Sequence, residues 1–377
     1  MTAELTRTPA TRFRAADDLT ADAPPESRGL DRDQVRLLVA ASEGGTTRLE
    51  HATFRSFPEH VRPGDVLVVN NSATTNGELD GLVAGRGRLV VHVGGELDDG
   101  SWVVELRAAP DASRPILDAR PGDVVELALG GRRHRRAAVR LSLLTPYPEA
   151  GSSPTGQGNR LWRAAAHHPQ TVPDGPRGGD LGRLLETSGR PIAYGYLRGR
   201  FPLEAYQTVF GVVPGSAEMA SAARPFTPHL VTRLVASGVH VVPVTLHTGL
   251  SSQEAGEAPQ PERFAVAASA AAVVNAARFV GGRVIAVGTT ATRAIESATG
   301  ADGVVRAAAG WTDLVISPDR PVRVVGGLVT GWHNPDASHL LLVESVAGAD
   351  LTQQAYDAAV AAHYAWHEFG DSALLLP

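Results

Sequence analysis

Runs of consecutive apolar residues, each closed by glycine or polar residues, recur through the second half of this chain. Residues 239–246 and 284–287 show no alternation of apolar and polar positions, which is typical of strands buried on both faces. Residues 227–237 and 266–280 follow a helical period, and glycine, the residue preferred just past a helix end, follows each of them. Strands that alternate with helices predict an α/β fold with a mostly parallel sheet covered by helices.

Weaker patterns of the same kind predict the remaining elements. Strands are expected at residues 35–40, 66–69, 314–317 and 322–330, and helices at residues 181–187, 203–210, 336–346 and 351–369. Asn334 followed by Pro335 favours a helix start at that point, because asparagine caps helices and proline suits the first helical position.

A different pattern occupies residues 77–145. The runs RLVVHVGG, SWVVELRAA, GDVVELALGG and RRAAVRLSLL are short, alternating and rich in β-branched residues, as expected for the hairpins of a small β-barrel. We therefore predict a barrel inserted at 77–145 into an α/β catalytic domain of residues 31–76 and 180–377. Residues 146–179 are rich in proline, glycine and serine and predict a linker, and residues 1–30 predict a loosely ordered polar arm.

Composition narrows the classes of function. Apolar residues make up 43% and charged residues 20% of the 377 positions, the profile of a soluble globular protein. The absence of cysteine excludes disulfides, thiolate metal ligands and a cysteine nucleophile. A formal net charge of -5 provides no overall basic field for nucleic acid. Because no apolar run suits a membrane helix or a signal peptide, we expect a cytoplasmic protein with no membrane partner.

Several predicted strands end in polar residues. Asn70 and Asn71 follow one apolar run, Thr245 and His247 close another, and His333 follows a third. The carboxyl ends of parallel strands share one edge of a sheet, where a ligand crevice forms. The two histidines suit proton transfer, although a histidine at a strand end is also commonly a hydrogen-bonded structural residue. We therefore predict a ligand site at this edge.

The segment GRVIAVGTTATRAIESATG, residues 282–300, combines a buried strand, a turn and a helix start. Gly288, Thr289 and Thr290 form the turn, and its backbone N–H groups at a helix N-terminus suit a carboxylate or a phosphate. Arg293 follows in the first turns of the helix as a candidate anion clamp. In the alternative interpretation, the threonines only cap the helix and Arg293 pairs with Glu296 on its surface.

Motifs of several other classes are missing from the sequence. No G-x-G-x-x-G follows a strand, no G-x-S-x-G elbow occurs, and no histidine and glutamate have zincin spacing. A nicotinamide site and a serine hydrolase are therefore not predicted, and neither is a metal site. The basic run RRHRR at residues 132–136 is either a solvated hairpin, which we favour, or a phosphate contact.

Seven segments occur in an order that resembles a known family. They are RLLVA (36–40), VRPGDVLVVNNS (61–72), YQTVFGVVPGS (206–216), VTLHTG (244–249), RVIAVGTTATRAIES (283–297), LVTGWHNPDASHLLLVESVAG (328–348) and FGDSALLL (369–376). Together they resemble the S-adenosylmethionine:tRNA ribosyltransferase-isomerase family of queuosine biosynthesis, over nearly the whole chain from about residue 10. The resemblance implies an α/β domain interrupted by a small β-barrel.

The resemblance also implies an enzyme that uses S-adenosylmethionine as a substrate and needs no metal or redox cofactor. Such an enzyme transfers the ribosyl part of S-adenosylmethionine to 7-aminomethyl-7-deazaguanine in tRNA and isomerises it to an epoxycyclopentanediol, releasing adenine and methionine. The sulfonium acidifies the neighbouring carbon, so a positioned base starts the reaction. The turn at Thr289 and Thr290, with Arg293, would hold the methionine carboxylate, and His247 or His333 would move the protons.

Positions in the family motifs add further site residues. Glu262, which is kept from the family's H-x-M-H-x-E, joins His247 and His333 as a catalytic candidate. Arg224 and Pro225 stand where the family has a leucine and a histidine. The substrate-binding candidates are Arg224, Asn70, Asn71, Thr245, Gly288, Thr289, Thr290 and Arg293.

Departures from the family pattern leave the acceptor open. After Asn71 the family has T-R-V-x-P-A-R-L, whereas this chain has SATTNGEL and lacks both arginines, which are the residue type that contacts phosphate. One alternative is a diverged paralogue that uses S-adenosylmethionine with a small-molecule acceptor or as a lyase. Another is a non-catalytic protein that kept the fold and binds a ligand. A monomer is favoured.

Overall fold

The computed structural model describes residues 8–14, 19–128, 137–149, 158–167, 179–250, 257–334 and 339–377. The largest unit is a nine-stranded sheet. In spatial order its strands are β15 (Ala308–Thr312), β13 (Glu262–Val266), β12 (His240–Leu246), β3 (Val66–Asn70), β14 (Val284–Val287), β16 (Gly327–Gly331), β17 (Ser372–Leu376), β1 (Arg36–Glu43) and β2 (Thr46–Thr53).

Parallel pairing occurs in two places in this sheet. Strands β12, β3, β14 and β16 run parallel at its centre, and β17 is parallel to β1. The remaining pairs, β15–β13, β13–β12, β16–β17 and β1–β2, are antiparallel. The predicted α/β fold is confirmed, and the carboxyl ends of the four central strands lie at one edge.

The sheet is covered on both faces at its centre, where β3 and β14 are buried at every position. The expectation that residues 239–246 are buried on both faces is wrong, because His240 and Pro243 of β12 are exposed. In β3, Val66 and Val68 belong to one hydrophobic cluster, and Leu67 and Val69 belong to another, as the strand period of two requires. Helices on one face are α3 (Ala268–Phe279), α4 (Thr289–Ser297), α5 (His339–Ala347) and α6 (Ala349–Ala361), and α2 (Pro228–Ala236) lies on the other.

A second sheet closes into a barrel, which confirms the predicted insert. Its strands, in spatial order, are β10 (Leu161–His167), β7 (Trp102–Ala108), β6 (Gly87–Glu96), β5 (Glu78–Val83), β8 (Val124–Ala128) and β9 (Ala137–Pro146), and α1 (Gly179–Ser188) packs on them. Strand β10 lies in the segment predicted as a linker, so that boundary is wrong. Trp162, Ala164 and Ala166 fill the barrel core at alternate positions, and the surrounding glycine and proline residues obscured this period. The RRHRR run lies outside the described residues.

A buried ionic group joins the barrel to the rest of the protein. The Glu78 carboxylate accepts from His92 Nε2 at 3.0 Å and from Arg190 Nε at 2.6 Å, and it lies 2.6 Å from Arg200 Nη1. Burial alone raises the pKa of this carboxyl, but His92, Arg190 and Arg200 lower it to about 2. The barrel strands β5 and β6 are thereby fixed to residues 190–200, which enter the site described below.

The segment predicted as a loosely ordered arm packs against the rest of the protein at several of its described residues. The N–H and the hydroxyl of Thr11 donate to the Glu344 carboxylate at 2.6 and 2.7 Å, and Ala23 is fully buried. Because Thr11 and Glu344 are 333 positions apart, the local composition of the arm contains no sign of the contact.

Two elements have bounds in the structure that differ from the predicted ones. The C-terminal helix stops at Ala361 instead of residue 369, because His363 has a φ of 52° and Trp366 folds back into the core. Strand β16 begins at Gly327 instead of residue 322. The residues just before it are Arg323, Val324 and Val325. Their N–H groups donate to the buried Glu296 carboxylate and not to a neighbouring strand.

Three further predictions need smaller corrections. Residues 203–210 form only a single 3-10 turn, Leu203–Tyr206, and the strand expected at 314–317 is instead β15 at Ala308–Thr312. The described part of the helix expected at 336–346 is α5, which spans His339–Ala347, and its predicted start lies outside the described residues. These segments lack a sustained period, so tertiary contacts set their bounds.

Candidate active site

A cavity of about 810 Å³ lies beyond the carboxyl ends of β14 and β16, where the α/β domain meets the barrel. Its volume is in the range of a small-molecule site. The wall includes Gly288, Thr289 and Thr290 after β14, Thr330 and His333 at the end of β16, Tyr194, Tyr196, Glu218, His339, His367 and Glu368 from other segments, and Arg107 of the barrel.

The turn after β14 brings a helix N-terminus to this cavity. Gly288 has a φ of 93°, a conformation open to glycine but strained for other residues, and α4 begins at the next residue. Beneath the turn, Asn70 Nδ2 donates to Thr290 Oγ1 at 3.2 Å. The first N–H groups of a helix have no partner within it, and Gly288, Thr289 and Thr290 line the cavity, so anion binding by this turn stays a prediction.

His333 lies in the cavity wall beside a second histidine. Its ring stacks on His339 with centroids 4.7 Å apart, and its Nε2 lies 3.1 Å from Thr330 Oγ1. Burial, together with His339 and His367, lowers the pKa of His333 well below its ordinary value, and burial and Arg293 lower that of His339 to about 4. Both imidazoles are neutral at pH 7, so His333 is able to accept a proton there.

Two tyrosine–glutamate pairs form another part of the wall. The Tyr194 hydroxyl donates to Glu218 and the Tyr196 hydroxyl donates to Glu368. The two tyrosine rings stack 6.1 Å apart, and His367 stacks on Tyr196 at 4.7 Å. Burial raises the pKa of Glu368 to about 7, with a further contribution from Glu218 and opposition from Tyr196 and Arg224. Sequence analysis missed these residues.

The nearest signal in the sequence is the Tyr-x-Tyr spacing at Tyr194 and Tyr196, within a segment that has no helical or strand period. Glu368 falls inside the segment predicted as a helix, where a glutamate is unremarkable. Tyr196 and Glu368 are 172 positions apart, so only the tertiary structure pairs them.

Three of the predicted strand-end residues do not line the cavity. Asn70 is fully buried, and its Oδ1 accepts from the N–H groups of Leu246 and Ser72 while its Nδ2 donates to the Leu246 carbonyl at 2.9 Å. It therefore fixes the ends of β3 and β12 to each other. The Thr245 hydroxyl donates to Asn71 Oδ1 at 2.7 Å, and these two residues line a separate groove beside β13.

His247 lies next to the cavity and is held by a short parallel pair, β4 (Ser72–Thr74) and β11 (Val213–Ser216). Its Nδ1 lies 2.8 Å from Ser72 Oγ, which in turn lies 2.7 Å from Ser216 Oγ. Burial and the charge of Arg263 lower its pKa. His247 is half-buried, and the following residue, Thr248, lines the cavity.

Arg293, predicted to bind an anionic ligand, instead binds groups of the protein itself. The buried Arg293 guanidinium forms an ion pair with Glu262, and it also donates to the carbonyls of Leu314, Gln260 and Thr312 at 3.0, 3.1 and 3.3 Å. The alternative partner, Glu296, binds the N–H groups before β16 instead, so the surface pair with Arg293 is not formed. Burial raises the pKa of Glu262, and Arg293 opposes that rise.

Arg224 also contacts protein groups. Its guanidinium donates to both carboxylate oxygens of Glu26, at 2.9 and 3.1 Å, and to the Ala205 carbonyl at 2.9 Å, and it lies over the Phe369 ring. It borders a small recess next to His367 and Glu368. Arg224 therefore anchors the N-terminal segment close to the site and acts on Glu368 only through its charge.

Within the described ranges, no group of three or more histidine, aspartate or glutamate side chains has the arrangement of a metal site. No helix in the same ranges is long and apolar enough to cross a membrane. The arrangement is an α/β scaffold with a ligand cavity at the carboxyl edge of its parallel strands, lined by a helix N-terminus, neutral histidines and carboxyl groups.

Comparisons with known proteins give the family. The chain belongs to the family described as queuosine biosynthesis protein, whose model matches residues 10–375. It is 34% identical over 368 residues to the S-adenosylmethionine:tRNA ribosyltransferase-isomerase of Symbiobacterium thermophilum, which covers 95% of this chain and 96% of that protein. It is 33% identical to the enzyme of the same name from Thermus thermophilus, over 94% of this chain and 97% of that one.

A comparison of structures finds the crystal structure of S-adenosylmethionine tRNA ribosyltransferase from Thermotoga maritima. The two chains are 24% identical, with a TM-score of 0.49, and the match covers 97% of this chain and 99% of the other.

Proposed function

We propose that this protein transfers and isomerises the ribosyl part of S-adenosylmethionine onto 7-aminomethyl-7-deazaguanine in tRNA, with release of adenine and methionine. The observation that carries the proposal is the match of the whole chain, residues 10–375, to its family, whose relatives are named for this activity. The cavity supports it, because about 810 Å³ is enough for a ligand of nucleoside size.

In this proposal the N–H groups of Thr289 and Thr290 bind the methionine carboxylate, since a helix N-terminus favours an anion. The guanidinium of Arg293 is bound to Glu262 and backbone carbonyls and positions α4, so Arg293 contributes to ligand binding only indirectly. Glu262 acts with it, because it holds Arg293 and accepts from the Gly249 N–H at 3.0 Å. Both residues are therefore positioning residues here.

His333 is the proposed base. A neutral imidazole in the cavity wall accepts the proton that leaves the carbon next to the sulfonium, and the electron pair of that C–H bond stays on the carbon. His247 is the second candidate for proton transfer, one residue from the wall. Its lowered pKa leaves His333 unprotonated at pH 7, and the same shift makes it a weaker base than an ordinary histidine.

The test is release of adenine and methionine from S-adenosylmethionine, measured by chromatography, with tRNA that bears the deazaguanine precursor, with tRNA that lacks it, and without tRNA. We expect release only with the precursor tRNA, and at least a hundredfold slower release in His333→Ala. His229→Ala, an exposed histidine on α2, is the matched control. Release without tRNA would replace this proposal by a small-molecule acceptor or a lyase, and no release from folded protein that binds S-adenosylmethionine would favour a non-catalytic binding protein.

A further inference from the structure

The side chain of Glu368 lines the cavity without a basic partner among the described residues. Its carboxylate lines the cavity and accepts from the Tyr196 hydroxyl, and it forms no ion pair with any residue in the described part of the chain. The nearest buried guanidinium, that of Arg224, is paired with Glu26. Glu368 is therefore a carboxylate without a protein counter-ion, at the surface of a ligand-sized space.

Glu368 and the turn after β14 line the same cavity. Ala222 lies near both of them, because it lines a small recess with Glu368 and a methyl group on Gly288 would lie 3.2 Å from the Ala222 Cβ. A ligand whose carboxylate binds Thr289 and Thr290 would therefore occupy the cavity that Glu368 lines.

The aromatic rings beside Glu368 hold its carboxylate in place. Tyr196 stacks between Tyr194 and His367, with centroid distances of 6.1 and 4.7 Å, so neighbouring rings cover the Tyr196 ring. Its hydroxyl donates to Glu368, and both residues line the cavity wall. A carboxylate at the wall attracts a cation, and the stack keeps that carboxylate in position.

We propose that Glu368, held by Tyr196, is the counter-ion that selects the cationic centre of a substrate in this cavity. The inference rests on the proposed function, in which two groups share this chemistry: the sulfonium of S-adenosylmethionine and the protonated aminomethyl group of the acceptor. The bound cation supplies the missing partner of the carboxylate. Glu368 is thus a specificity-determining residue.

Calorimetric binding with matched ligands tests the proposal without turnover. One arm compares S-adenosylmethionine with S-adenosylhomocysteine, which has a neutral thioether in place of the sulfonium. The other compares an anticodon stem-loop that bears the aminomethyl base with the same stem-loop after acetylation of the amine. We expect Glu368→Gln to reduce the preference for the cationic ligand about tenfold or more in one arm, and the arm affected identifies the group bound.

Glu204→Gln is the matched control, because it removes the same charge from an exposed position outside the cavity. An unchanged preference in both arms of folded Glu368→Gln overturns the inference and leaves the proposed function standing. Wild-type protein that binds neither S-adenosylmethionine nor the stem-loop overturns both.

The pH dependence of wild-type binding is a second measurement that needs no variant. Affinity for the cationic ligand should rise with pH through about 7, where Glu368 ionises, while affinity for its neutral partner should not. The titratable or charged groups that face Glu368 are Tyr196, Tyr206, Glu218, Arg224 and the adjacent His367. Burial raises the pKa of both tyrosines and lowers that of His367, so these three are neutral near pH 7. If the affinities for the two ligands depend on pH in the same way, the inference is overturned.

Discussion

Arg293 and Glu262 form a buried ion pair that ties the first turns of α4 to strand β13, and each partner is further held by backbone groups. The N-terminus of α4 is the proposed anion site, so this pair fixes the position of the turn without contacting the cavity. Removing one partner leaves the other charge buried and unpaired, which typically costs several kcal/mol.

We therefore predict that Arg293→Met lowers the free energy of unfolding by about 3–5 kcal/mol, measured by urea denaturation. Arg88→Met, at an exposed arginine of the barrel, should change it by less than about 0.5 kcal/mol. The double variant Arg293→Met/Glu262→Gln should lose less than the sum of the two single variants. Unchanged stability of Arg293→Met with weaker binding of S-adenosylmethionine would restore Arg293 as a direct anion clamp.

Gly288→Ala should weaken both the turn and ligand binding. The φ of 93° strains any other residue, and the new methyl group meets Ala222 at 3.2 Å, so we expect a loss of about 1–3 kcal/mol in unfolding free energy. Affinity for S-adenosylmethionine should fall more than this loss explains. Gly303→Ala, at a half-buried turn outside the cavity with a φ of 72°, also places a side chain at positive φ, and normal ligand binding is expected there. Equal affinity in both variants would remove the turn from the site.

Gly215→Ala should act through His247. A methyl group at Gly215 would lie 2.6 Å from His247 Nδ1, so the imidazole has to leave its place beside Ser72. If His247 transfers a proton, His247→Ala should retain the fold and abolish turnover, a loss of at least about a hundredfold. Gly215→Ala should then lose much of the turnover as well. The double variant should then be no slower than His247→Ala. Full turnover of His247→Ala at an unchanged melting temperature would exclude His247 from the mechanism.

Glu78→Gln should destabilise the junction with the barrel in a pH-dependent way. The pKa of Glu78 in the folded protein is about 2, against an ordinary value of 4.5, so its ionised form stabilises the fold above pH 4.5. This contribution, about 3 kcal/mol, disappears as the pH falls from 4.5 towards 2. Denaturation at pH 7 should separate the variant from the wild type by this amount, and at pH 3 the difference should shrink. An equal difference at both pH values would contradict the assignment.

The local pattern of apolar and polar residues determined those strands and turns that depend only on neighbouring residues. Residues 66–69 and 284–287 form strands buried on both faces because every position is apolar, and Gly288 ends β14 in the turn expected of it. The alternating runs within residues 77–145 form the barrel because alternation places one set of their side chains in its core. The linker was mispredicted because the apolar alternation of Trp162, Ala164 and Ala166 is short and flanked by glycine and proline.

Tertiary structure alone decided which polar residues share a site. The sequence identified polar residues at four strand ends, but the packing used Asn70 to fix two strands, paired Asn71 with Thr245 in a separate groove, and left Gly288, Thr290 and His333 at the cavity. Arg293 met Glu262, 31 positions away, and Tyr196 met Glu368, 172 positions away. Charges and hydrogen bonds are satisfied by whichever partner the folded chain brings within about 3 Å, and no local pattern records that partner.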